Sequence, residues 1–338
     1  MPAYLKSEAR EWARSALRGV ANVIIPSFKN DLSGLNEVGI RHDVRLNIEN
    51  GFFGALMVSD VAITMGEYEQ FCAWFQDEAK GAMMPIYHAA FGTLAQNIEG
   101  ARIAAAHGAQ LTLLTYPATF HAESEDDIFE YTKAFCDATD MAVLLFPVPL
   151  WGFGRVHPSD MPISLLRRLI DACPNIVAIK AEGGYPTIMG FVECYRTFKD
   201  EVLISCPVEK DMIPLSQLVP IQLSATSNTE YFGPIIPKVF NLLQEGRFEE
   251  ATEIYWRIHP ARKANAATSA QVVGMGLINR LQWKYQAWLN GYNGGPLRQP
   301  SMRVSDEMRK NLREGLEKSG IKTTPLHDRE FFVGRHPA

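Results

Sequence analysis

No stretch of this chain stays apolar for the roughly 20 residues that a membrane-spanning helix needs, so a spanning protein of that kind is not expected. Cysteine is sparse. Cys72, Cys136, Cys173, Cys194 and Cys206 are scattered, with no C-x-x-C spacing to suggest zinc. An odd, dispersed set predicts free thiols in a reducing cytoplasm. The phosphate-binding turn G-x-G-x-x-G is missing; Gly51, Gly54, Gly81, Gly92 and Gly100 do not fall at its spacing, which removes the support for nucleotide binding. The G-x-S-x-G nucleophile elbow is missing too. Positive charge is not in excess: the formal net charge is -5, which argues against nucleic acid or an anionic membrane as the main partner. The first 20 residues carry both signs of charge and no long apolar core, unlike a secretory leader. Instead Ala9, Trp12, Ala13, Ala16 and Leu17 predict an amphipathic helix.

What is present is an alternation of short apolar runs with longer helical patterns. The runs are Val23–Ser27, Gly54–Val58, Met84–Tyr87, Leu111–Leu114, Ala142–Phe146, Val177–Lys180, Val202–Ser205 and Gln222–Ser224. Helical periodicity fills the gaps, as in Gly66–Lys80, Leu94–His107, Ser124–Ala138 and Ser159–Ala172. Ser124 precedes an acidic first turn, Ser159-Asp160 with Pro162 opens the next helix, and Gly108 sits where a helix-ending glycine belongs. Eight such units in about 240 residues predict an α/β fold, a (β/α)8 TIM barrel, over a doubly wound sheet. The barrel is expected over 21–262, after an N-terminal helix within 1–20. A C-terminal helical extension follows over 263–338, with Trp283, Trp288 and Leu289 on one apolar face and a last helix from Ser305-Asp306. No repeat, low-complexity tract or linker interrupts this order.

In such a barrel the strand ends and the loops after them form the active face. The candidate residues there are Ser27, Ser59, Asp60, Tyr87, His88, Thr115, Tyr116, Phe146, Lys180, Glu182, Glu209 and Thr226-Ser227-Asn228. Lys180 is the odd one. It ends the run Val177-Ala178-Ile179-Lys180, and buried parallel strands read as unbroken apolar segments. An ammonium there loses hydration, which lowers its pKa and makes a nucleophilic amine. The alternative is a lysine that merely reaches solvent. The neighbours carry alternatives of the same kind: Asp60 as a helix cap, His88 bonded to a carbonyl, Tyr116 as packing, Glu182 as a loop carboxylate or a partner for Lys180, Glu209 as a helix start, Asn228 as a turn residue. His88, Asp60, Glu182 and Glu209 have no metal-site spacing.

Four stretches resemble the dihydrodipicolinate synthase / N-acetylneuraminate lyase family of class I, Schiff-base aldolases. They are Val23-Ile24-Ile25-Pro26-Ser27-Phe28, Pro174-Asn175-Ile176-Val177-Ala178-Ile179-Lys180, Leu223-Ser224-Ala225-Thr226-Ser227-Asn228, and Asn293-Gly294-Gly295-Pro296-Leu297-Arg298-Gln299-Pro300. The second is the most specific. The resemblance implies a barrel with a helical extension, a homo-oligomer (dimer or tetramer), and a neutral lysine that attacks the ketone of a 2-oxo acid. It also implies a proton-carrying tyrosine at the end of the fifth strand and hydroxyls after the second that hold a carboxylate. Here those positions are Phe146 and the Leu56-Met57 pair, and Trp151 stands where an arginine is common, with Arg155 close by.

The expected function is a Schiff-base lyase (aldolase, hydratase-aldolase or dehydratase), cytoplasmic, acting through Lys180 on a small-molecule carbonyl substrate without cofactor or metal. Tyr116 and His88 are the expected proton carriers; Ser59, Phe146, Glu182, Glu209 and Asn228 are the expected substrate contacts. A binding barrel that has lost catalysis and a metal-assisted lyase using His88 are the competing expectations.

Overall fold

The computed structural model describes residues 2–181, 187–225, 227–274 and 277–338. The eight expected strands all form: β1 Gly19–Ile24, β2 Gly54–Met57, β3 Met84–Ala89, β4 Leu111–Leu114, β5 Ala142–Leu145, β6 Ile176–Lys180, β7 Leu203–Ser205 and β8 Leu223–Ser224. They make one parallel sheet in the order β7-β6-β5-β4-β3-β2-β1-β8, a nearly closed (β/α)8 barrel with a helical C-terminal part. By internal contacts the chain divides into two compact units, Met1–Ala21 with Met84–Thr226, and Asn22–Met83 with Ser227–Ala338.

In the first unit the strand register sorts the side chains. Residues paired across parallel strands share a face. His88, Leu113, Leu144 and Ala178 are successive partners, and Lys180 pairs with Ser205 two residues further on. The alternate residue Tyr87 points the other way: its hydroxyl donates to the Asn97 carbonyl in the helix Leu94–Ala106, at 2.9 Å. His88, Lys180 and, by alternation, Thr115 and Phe146 therefore occupy the face away from the helices.

The base of β6 is held firmly. Arg10, on the helix Ala9–Ala16, donates to the carbonyls of Ile176 and Cys173 at 3.0 and 3.2 Å. Asn175 Nδ2 lies 3.1–3.2 Å from the carbonyls of Cys136, Thr139 and Met141. Asn175→Asp would aim a carboxylate at three buried acceptors with no donor to offer. The expected cost is about 3 kcal/mol or more, read as a lower thermal midpoint than wild type.

The first strand differs from its expected span. It runs Gly19–Ile24 and pairs through Gly19 with Leu223 and Val20 with Ser224. Pro26, with no N–H to give, stands beyond its end, and the chain turns into a short bridge between Phe28 and Leu35. Gly19 and Val20 thus leave the N-terminal helical segment for the sheet. The helix expected from Ser159 starts at Ile163, because Asp160 takes φ 55° and breaks the approach. Ser124 caps as expected: its Oγ accepts from Asp127 N, and Asp127 returns a bond to Ser124 N at 2.9 Å.

In the second unit the helix Arg280–Leu289 departs from the expected one-sided pattern. Leu281, Tyr285, Trp288 and Leu289 are buried, but so are Arg280, Gln282, Lys284 and Gln286, while Trp283 is only half-buried. Trp283 and Trp288 are five residues apart, about 140° around a helix of 3.6 residues per turn, so they cannot share a face. The last helix runs Asp306–Lys318 and is capped by Ser305, as expected.

Candidate active site

Lys180 ends β6 with 3% exposure, and its Nζ sits 3.8 Å from the centre of the Phe146 ring. The cause is local: Leu144 pairs with Ala178, so Phe146 and Lys180, each two residues on, stand side by side on the same face. The Phe146 ring is fixed in turn. Trp151 Nε1 donates to the Phe146 carbonyl at 2.6 Å, and the two rings meet edge to face at 87° and 5.8 Å. A 3-10 turn, Pro149–Trp151, holds the indole there.

Tyr116 is turned elsewhere. Thr132 Oγ1 donates to the Ile128 carbonyl at 2.7 Å, so the 2.6 Å contact between Tyr116 and Thr132 has Tyr116 as its donor. Burial pushes its hydroxyl pKa well above the ordinary value. Its ring joins Phe120, Tyr131, Trp151 and Phe153 in an aromatic cluster with centroids 4.9–5.8 Å from it. Thr115 holds the position on the Lys180 face, with its hydroxyl donating to the Ala89 carbonyl at 2.6 Å. His88 is buried on that same face, in the layer of Leu113 and Ala178. Glu209 begins a short 3-10 turn after β7 and is half-buried. Arg155 is exposed in another, Phe153–Arg155. Glu182 and Thr226 lie outside the described residues.

The remaining candidates belong to the second unit. Ser59 is buried just after β2. Asp60 caps no helix; it forms a two-pronged ion pair with Arg280 at 2.8–3.2 Å, and Thr64 caps the helix that follows. Ser27 accepts from Asn293 Nδ2 at 2.9 Å. Asn228 follows β8 with a buried Nδ2 that makes no hydrogen bond.

This unit also holds ionisable residues that the sequence did not single out. Lys284 is buried, and its Nζ donates to the Pro26 carbonyl at 2.8 Å. Asp43, on the helix Glu37–Glu49, accepts from Asn293 N at 2.7 Å. Burial pushes the Asp43 carboxyl up and the Lys284 amine down, and each charge partly offsets the shift of the other. Glu230 is buried with Oε2 unbonded, and desolvation raises its pKa to about 8, against the charge of Arg280. Gly39 lets this assembly close, since a Cβ there would meet Asn293 Nδ2 at 2.5 Å. The signal was in the sequence: Leu281, Lys284, Tyr285 and Trp288 follow an i, i+3, i+4, i+7 spacing, which places the lysine on the apolar face.

Among the described residues no three His, Cys, Asp or Glu side chains converge as metal ligands, and no helix is long and apolar enough to cross a membrane. All five cysteines are free and buried.

The profile of the Dihydrodipicolinate synthetase family matches residues 16–319. A 4-hydroxy-tetrahydrodipicolinate synthase of Methanopyrus kandleri is 22% identical over 311 residues, 90% of this chain and 97% of its own. One from Methanothrix thermoacetophila is 26% identical over 314 residues, 89% and 96% of the two chains. The fold of N-acetylneuraminate lyase from Fusobacterium nucleatum matches with TM-score 0.72 at 17% identity, over 89% of this chain and 98% of that one. With nearly the whole barrel and extension matched, the chain belongs to the dihydrodipicolinate synthetase family of lyases.

Proposed function

We propose that this lyase works through a Schiff base on Lys180, formed with a 2-oxo acid or a related carbonyl compound. The observation that carries the reading is the buried amine at the C-terminal end of β6, set against Phe146 on the face it shares with His88. The deprotonated amine of such a lysine is the nucleophile that Schiff-base chemistry needs. The amine adds to the ketone and water leaves. The resulting iminium draws electrons from the adjacent carbon, which gives up a proton or a carbon substituent.

That proton needs a carrier, and Phe146 has no hydroxyl. Tyr116 is a poor carrier, since its proton is committed to Thr132. His88 is the better one: it is on the same face as Lys180, and imidazole both accepts and donates. The half-buried Trp151 beside Phe146 offers an apolar wall, which suits a substrate with an apolar or aromatic substituent. Phe153 is fully enclosed by its neighbours and serves packing.

Solvent deuterium exchange at the carbon next to the carbonyl, followed by NMR, tests this assignment. Tyr116→Phe is expected to retain exchange and to lose only about 1 kcal/mol of stability. His88→Gln is expected to slow exchange by about 10²-fold or more. Exchange lost in Tyr116→Phe and kept in His88→Gln would reverse the roles. Saturable binding of 2-oxo acids with no exchange in the wild type would favour a binding barrel instead.

A further inference from the structure

We infer that the π-face of Phe146 is itself a catalytic group, the site that stabilises the positive nitrogen of the Lys180 iminium. The inference rests on the Schiff-base reading above. Nζ lies 3.8 Å from the ring centre, within the reach of a cation–π contact. The ring is only 8% exposed, and desolvated contacts of this kind are the stronger ones.

The reaction places charge where the ring can feel it. A neutral amine and a ketone take up one proton and release one water to give the protonated iminium. The C=O bond breaks, a C=N bond forms on Nζ, and the oxygen leaves as water. Nζ stays tethered to β6, so the nitrogen that gains the charge is the one already over the ring. Phe146 interacts weakly with the neutral amine and strongly with the iminium. That difference favours the covalent intermediate, which is what a catalytic group must do.

The ring is also held in place for this task. Trp151 Nε1 is bonded to the Phe146 carbonyl at 2.6 Å, and the indole meets the Phe146 ring at 87°. The Tyr116 ring also meets the indole, at 5.8 Å and 63°. Trp151 is thus a positioning residue, which sets the ring that meets Nζ. A phenylalanine without a hydroxyl at this strand end is then an exchange of one electrostatic device for another, rather than a simple loss.

Graded fluorination tests it. Fluorine withdraws electron density from the ring face while barely changing its shape. Mono-, di- and trifluorinated phenylalanine at position 146, and Phe146→Leu, are compared by the 2-oxo acid concentration that gives half-maximal borohydride trapping at Lys180. Trapping is expected to weaken stepwise with each fluorine, by roughly 2- to 30-fold in total, with Phe146→Leu at the weak end. Thermal midpoints across the fluorinated series, expected to stay level, separate this from a packing defect. Equal trapping across the series would overturn the inference and leave the Schiff-base reading standing. No trapping in the wild type would remove both.

Discussion

Lys180→Met is expected to lose reductive trapping completely and to lower turnover to background, while the protein stays folded. Methionine keeps most of the length of the side chain and removes the amine, so nothing remains to attack a carbonyl. The fold should tolerate the change well, because Lys180 is buried at the end of an apolar strand beside an aromatic ring. Methionine is close to lysine in volume and apolar throughout, so it suits a buried site against the Phe146 ring. The expected result is a dead enzyme that still unfolds cooperatively, with a thermal midpoint within a few degrees of the wild type. A dead enzyme that is also unfolded would make Lys180 a structural residue.

The second large effect lies in the other unit. Asp43 accepts from Asn293 N and offsets the charge of Lys284, which is bonded to the Pro26 carbonyl after β1. Asp43→Ala would strand the buried Asn293 N–H and remove the charge that offsets the buried Lys284 amine. The expected cost is about 3–5 kcal/mol, seen in denaturant titration. Glu230 adds a pH dependence of its own. Its folded pKa, raised by desolvation to about 8, stands above the ordinary value of 4.5. The folded protein keeps this proton while the unfolded chain releases it. The contribution is thus fully present below about pH 4.5 and is lost as pH rises through about 8. The slope is at most about 1.4 kcal/mol per pH unit. Glu230→Gln cannot ionise, so the stability of the variant relative to wild type should climb across that window. A difference that stays flat from pH 5 to pH 9 would show that Glu230 is ionised in the folded state.

The contrast between these two groups shows which parts of the molecule a reader can find in its sequence. Lys180 was legible because its signal is local: an apolar, β-branched strand ending in a charge. The strands β3 to β6 were legible for the same reason, since period and length agree with burial. Tyr116 shows a rule applied one step short. Alternation from Leu113 points to Thr115, and Tyr116 follows the helix-facing Leu114. Lys284 and Asp43 were hidden differently. Lys284 binds a carbonyl 258 residues away in the chain. No window of sequence contains both partners, and only the helical spacing around Leu281 and Trp288 hinted that a lysine was going inside. The end of β1 was placed too far along, at Ser27 instead of Ile24, because Pro26 reads as part of an apolar run until the missing N–H is counted. Strand ends are where such counting matters most, and they are also where the chemistry sits.

Sodium borohydride reduction in the presence of a panel of 2-oxo acids, followed by peptide mass mapping, probes Lys180 most directly. A stable adduct is expected on the peptide that carries Lys180, with at least one acid in the panel, and none in Lys180→Met. Turnover of a carbonyl substrate with no adduct at Lys180, or an adduct carried by another lysine, would contradict the assignment.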